Sequence, residues 1–131
     1  MPKPLLEAMT WPEARRAAEN GGRVVLLPVG AIEQHGPHLP VDVDNRIVTW
    51  LCDEAARRGP ELIVSAPPIH YGFNEHNMGF PGTITVGMEP FLNYVTDVCL
   101  SFVRYTCKSC ISFKCLQILS LRTLGTFGLS L

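Results

Sequence analysis

Two short apolar runs constrain this chain more than any other feature. Val24-Val25-Leu26-Leu27-Pro28-Val29 and Leu62-Ile63-Val64 contain no polar residue. A strand with one wet face alternates in polarity, whereas a run that is apolar throughout belongs to a strand covered on both sides. Between the runs, Ile47, Val48, Leu51, Cys52 and Ala55 recur at helical spacing, with Arg57-Arg58 in the last turn and Gly59 as terminator. Upstream, Thr10-Trp11-Pro12-Glu13 has the form of a capping box. The threonine oxygen would accept from free amides while the glutamate reaches back, opening a helix that Asn20-Gly21-Gly22 stops. Downstream, Thr83-Ile84-Thr85-Val86 reads as a short strand, and Glu89-Pro90 opens a helix carrying Phe91, Tyr94, Val95, Val98 and Phe102. This alternation predicts an α/β fold, a mainly parallel sheet with helices on both faces in three layers. Ligands of such sheets bind at the carboxyl ends of the strands, which directs attention to the loop leaving Val29.

Composition narrows the function classes. The chain has 131 residues, room for one core, with a formal net charge of −1. A polyanion binder acting through bulk charge is excluded, and no nucleic-acid partner is expected. No run of 18 apolar residues occurs, and the N-terminus lacks the apolar stretch of a secretion signal. A cytoplasmic protein without a membrane partner is the expectation. The charge is unevenly spread, however. All 12 acidic residues lie at or before Asp97, and only Arg104, Lys108, Lys114 and Arg122 are charged after it.

The loop from Gly30 to Asp44 holds the chemistry. Glu33, His35, His38, Asp42 and Asp44 are five potential metal ligands in twelve positions. Glu33 and His35 are two apart, so extended backbone projects them to one side. Gly36-Pro37 then turns the chain, and Asp44 sits at the mouth of the following helix. Carboxylates with imidazole form the donor set of hydrolytic zinc or manganese sites rather than of a structural cysteine cage. The spacing alone is equally compatible with solvated polar surface, in which His38 is a loop histidine and Asp42 or Asp44 a helix cap.

At these residues the sequence resembles the creatininase family of metal-dependent amidohydrolases. Pro28-Val29-Gly30-Ala31-Ile32-Glu33-Gln34-His35-Gly36-Pro37-His38-Leu39-Pro40, followed by Asp44, is similar to that family's opening signature. Tyr71-Gly72-Phe73-Asn74-Glu75-His76-Asn77-Met78-Gly79-Phe80-Pro81-Gly82-Thr83 is similar to its second block, which ends in Phe-Pro-Gly-Thr. The resemblance covers about residues 5 to 105. It implies two divalent ions, zinc or manganese, side by side at the ends of the strands. Glu33 would bind one, His35 the other, and Asp44 would bridge them. It further implies a metal-bound hydroxide attacking a C–N bond of a small cyclic amide such as creatinine. His76, Phe80 and Thr83 would border the substrate, although a turn that positions a strand is the stronger reading for Pro81 and Gly82. Family members are homo-oligomers, which this chain is expected to imitate.

The resemblance stops near Tyr105. The family's remaining ligands, a histidine and a glutamate, come from an Asn-Gly-His-Gly-Gly-Asn loop absent here. No histidine follows His76 and no glutamate follows Glu89. The sequence therefore divides into a creatininase-like part, 1–105, and a Cys-rich apolar tail, 106–131, consistent with a shifted reading frame or truncation. Catalytic residues beyond the ligands are not assigned, since the family's lie in the part that is missing. The alternative function is a catalytically inactive relic or interaction module that keeps part of the metal site. Cys99, Cys107, Cys110 and Cys115 offer a thiolate zinc site or redox pair, against the commoner role of cysteine as a small buried hydrophobe.

Overall fold

The computed structural model describes residues 2–19, 23–105, 110–114 and 117–120. Their elements run α1 (Trp11–Glu19), β1 (Val24–Val29), α2 (Val43–Arg58), β2 (Ile63–Ser65), α3 (Met88–Tyr105), β3 (Cys110–Lys114) and β4 (Gln117–Ser120). The four strands form one sheet in the order β2-β1-β3-β4. β1 pairs in parallel with β2 (Val25 with Val64) and with β3 (Leu27 with Ser112), while β4 runs antiparallel to β3. The α/β, mainly parallel expectation holds. α3 ends at Tyr105, and β3 beyond it lies beside β1.

The central place of β1 explains its composition. Val25, Leu27 and Val29 face one side and pack with Ala66, Ile69, Phe91 and Cys99, so α3 covers that face. Leu26 faces the other and packs with Val48 and Cys52 of α2. Successive side chains of a strand point to opposite faces, so a strand clad on both must be apolar at every position. Burial in this second cluster pushes the Cys52 thiol up to about 11, with the Asp53 carboxylate adding to the rise. That thiol stays neutral and behaves as a hydrophobe.

Several boundaries differ from the sequence reading. Thr83–Val86 is not a strand; Ile84 makes an isolated antiparallel bridge to Ile32, its carbonyl accepts from Asn74 Nδ2, and the Val86 amide donates to Gly72 O, so these backbone groups are used outside a ladder. α2 begins at Val43, earlier than its apolar periodicity, because the polar first turn carries no hydrophobic signal. Its buried stripe is Asn45, Val48, Cys52 and Ala56, which leaves Ile47 and Leu51 exposed. Tyr94 is likewise exposed on α3, on the side away from Phe91, Val95 and Val98. Leu62 lies before β2 and is exposed. Cys107 and Cys115 lie outside the described residues, whereas Cys99 is buried in the core under α3.

The capping box is half as expected. Glu13 Oε2 accepts from the Thr10 backbone amide at 2.7 Å, and the Thr10 hydroxyl donates to the same oxygen at 2.9 Å rather than accepting from the helix. Lys3 Nζ adds a third donor at 2.9 Å. These bonds, that from the Thr10 amide foremost, hold the Glu13 carboxyl down at about 2 instead of 4.5. A carboxylate lowered on folding contributes stability above its unfolded value and loses it as pH falls through the folded one. Denaturant midpoints should therefore drop between pH 4.5 and 2, and the Glu13→Gln protein should lack this part of the decline. Parallel pH profiles for the two proteins would refute the cap.

Candidate metal centre

The loop between β1 and α2 leaves the carboxyl end of β1 and is pinned from three directions. The Glu33 amide donates to Val41 O at 3.0 Å, closing the loop on itself. The Ile84 amide donates to Ile32 O at 2.9 Å, joining it to the loop that follows β2. The Gln34 amide donates to Thr83 Oγ1 at 3.3 Å. Gly36 makes the reversal at φ +73, a left-handed conformation that only a residue without a Cβ adopts freely. Beneath the loop, Asn45 of α2 donates to Ala31 O at 2.9 Å and His70 O at 3.2 Å, fastening the first turn of α2 to both loops. Asp44 is its neighbour in that turn, so its carboxylate is delivered to the loop by a rigid helix end.

Of the five candidate ligands, three converge. Glu33, His35 and Asp44 offer donor atoms that all lie within 4.8 Å of one another. Their side chains are 17%, 23% and 15% exposed, enough to leave one face of the cluster open to solvent. His38 is exposed and outside the group, and Asp42 Oδ2 accepts instead from Arg46 Nε at 2.7 Å. Asp44 forms no cap; Asp42 occupies the N-cap position without a side-chain cap bond.

The imidazole is oriented for coordination. His35 Nδ1 lies 3.1 Å from Glu33 O, and a carbonyl only accepts, so Nδ1 carries the hydrogen. In the neutral ring the lone pair is then on Nε2, which faces Asp44 Oδ1 at 3.3 Å. Two lone pairs facing each other, with a second carboxylate alongside, call for a proton or a cation between them. A ring nitrogen bonded to a backbone carbonyl while the other points at carboxylates is the usual support of a metal-binding histidine. The donor set therefore fits a divalent ion of the zinc or manganese type.

The residues expected to border substrate are placed differently from one another. His76 is exposed, with Nε2 3.9 Å from Glu33 Oε2. Phe80 is exposed. Thr83 is buried, and its hydroxyl holds the Gln34 amide. Sequence reasoning missed Asn77, whose Nδ2 donates to Glu33 Oε2 at 2.9 Å, and Asn45. Both are asparagines in polar loops or turns, and no spacing rule distinguishes them from ordinary turn residues.

A family model described as Creatininase, creatinine amidohydrolase, matches residues 7–114, past the point where the motif resemblance ends. A mycofactocin precursor peptide peptidase of Mycolicibacterium smegmatis is 43% identical over 68 residues, 49% of this chain and 28% of that protein. The creatinine amidohydrolase of Pseudomonas putida is 32% identical over 101 residues, 73% of this chain and 38% of that protein. Two solved structures, a manganese creatininase and a mutant creatininase of Zn–Zn type, superpose with TM-scores of 0.79 and 0.80 at 26% identity. They are matched over 86% and 88% of this chain, which spans 45% and 46% of theirs. The chain thus spans less than half the length of these relatives, and with the family match running through most of its residues it belongs to the creatininase family.

Proposed function

We propose that the chain carries the N-terminal part of a metal-dependent amidohydrolase centre, with Glu33, His35 and Asp44 as its ligands. The observation that carries this reading is the convergence of the three donors within 4.8 Å, with the His35 ring fixed by Glu33 O. Glu33 and His35 would each hold one ion, and Asp44, on the helix end between them, would be shared. A bound divalent ion acidifies water and polarises an amide carbonyl, which is the chemistry that hydrolysis of a C–N bond needs. The chain's own residues supply orientation: the Glu33–Val41 and Ile32–Ile84 backbone bonds hold the carboxylate and imidazole in place, and α2 brings in the third donor. His76 beside Glu33, and Phe80 in the second loop, would form the near wall of the substrate site.

The substrate class is a small amide, and a cyclic one in this proposal. Support comes from the creatinine amidohydrolase among the relatives; the peptidase among them marks a linear peptide bond as the competing substrate. Three protein donors are few for two ions, each of which prefers about four to six. The 131-residue chain alone should accordingly hold a single ion, weakly, with little turnover. Self-association belongs to the same proposal, supported by Ile47, Trp50 and Leu51 standing exposed on α2.

Metal analysis after dialysis against Mn2+ tests the site. We expect up to one ion per chain in the native protein and none in His35→Ala; two tightly held ions, or equal binding by the two proteins, would overturn the ligand assignment. For the activity, ring opening of creatinine with added Mn2+ or Zn2+ should exceed background in the native chain and vanish in His35→Ala. Equal background rates in both would favour an inactive relic.

A further inference from the structure

We propose that Asn77 is a positioning residue of the metal centre, aiming the Glu33 carboxylate through a one-way chain of side-chain amides. The proposal rests on the metal-site reading above. Asn77 closes the 3-10 turn Glu75–Asn77 and is half-buried. Its backbone amide donates to Asn74 O at 2.9 Å. Asn74 is itself 1% exposed and bonded to Thr85 Oγ1 and Ile84 O, so Asn77 stands on a fixed base.

The direction of the chain is set by a backbone group whose polarity is not in question. The Gly36 amide is a donor, and it lies 3.0 Å from the Gln34 side-chain carbonyl, which must therefore be the oxygen. The Gln34 amino group then points away and donates to Asn77 Oδ1 at 3.4 Å. With its oxygen taken, Asn77 turns Nδ2 toward Glu33 Oε2 at 2.9 Å, and the remaining hydrogen of that group lies toward His76 Nε2 at 3.3 Å. Each link fixes the orientation of the next, from Gly36 N to Glu33 Oε2. A surface asparagine with no task would be free to flip, whereas flipping Asn77 sets its oxygen against a carboxylate. Residues that hold a ligating carboxylate in place typically change metal affinity 10–100-fold when removed. The same chain ties the loop of His35, through Gln34, to the loop of His76.

Titration of the full chain with Mn2+, followed by calorimetry, tests the proposal in a double-mutant cycle. Mn2+ is the probe because carboxylate and imidazole suit it and the tail thiols do not. Asn77→Ala should weaken binding about 10–100-fold, Asn77→Ser should do the same, and unfolding of the metal-free protein should stay near native for at least one of them. In a Glu33→Ala background the further effect of Asn77→Ala should disappear, because the residue acts through that carboxylate. An unchanged affinity in both Asn77 variants, when Glu33→Ala alone weakens binding, overturns the proposal and leaves the metal site standing. An equal loss with and without Glu33 also overturns it, since the residue then acts only on the loop. If Glu33→Ala itself binds as the native chain does, the metal-site reading fails, and this one with it.

Discussion

Replacing Asp44 with alanine is expected to abolish the response of the chain to divalent metal while leaving the metal-free protein as stable as before. The expectation follows from where the carboxylate sits. Asp44 is in the first turn of α2, its oxygen 3.3 Å from His35 Nε2, and with Glu33 it makes a pair of like charges around one imidazole. Without a cation the two carboxylates repel across one imidazole, which offsets what Asp44 gains at the helix N-terminus, so removing its charge costs the fold little. With a cation the pair becomes the strongest part of the site. A ligand that binds only the native state stabilises it by about 2.7 kcal/mol at a hundred times its Kd. For a chain of this size that is a rise in Tm of roughly 10 °C. The native protein should show such a rise with saturating Mn2+, and Asp44→Ala should show none in the same scan. A variant that is still stabilised by the ion to the native extent would remove Asp44 from the centre. A variant that unfolds much earlier without metal would instead make the residue a structural cap.

The second large effect is expected at Gly30→Ala, which should lower the unfolding free energy by about 3 kcal/mol or more. A Cβ on Gly30 would run into Asn45 Oδ1 and lie 2.9 Å from Asn45 Cα. The near atom is not the tip of a mobile surface chain. Asn45 is 5% exposed, and its amino group is engaged by Ala31 O and His70 O, so moving it breaks two hydrogen bonds, the first of them buried, or shifts the helix backbone. Leaving a buried polar group unpaired costs about 1–3 kcal/mol, and overpacking about as much again. The displacement would also pull Asp44 away from Glu33 and His35, because Asn45 is its neighbour on α2. Metal affinity and denaturant midpoint should therefore fall together in this variant. A change under about 1 kcal/mol would mean that α2 can shift away from Gly30 at little cost, contrary to the close approach of Asn45.

How much was legible beforehand differs between fold and site. Val24–Val29 and Leu62–Val64 read as doubly covered strands because burial on both faces favours apolar side chains; β2 itself runs Ile63–Ser65, its buried Ser65 hydroxyl bonded to Asp53. Thr83–Val86 carries the same β-branched signal yet forms only an isolated bridge, since strand propensity reports a fit to a pleated surface and not the presence of a partner strand. Ile47 and Leu51 shared the helical period of Val48 and Cys52, yet only the latter pair reached the sheet. A stripe wider than the contact it makes cannot say which of its edges will be covered.

The sequence by itself determined the layered α/β arrangement, the loop that gathers the candidate ligands, and the residue types able to grip a cation there. It did so because periodicity and donor identity are local properties of the chain. Which three of five donors meet, which ring nitrogen of His35 faces Asp44, and that the Asn77 amide meets Glu33 across 44 positions of sequence were decided only by the tertiary structure. Convergence depends on two loops and a helix end being fastened together by Asn45, Thr83 and the Ile32–Ile84 bridge, and distances across such joints are written in packing rather than in spacing.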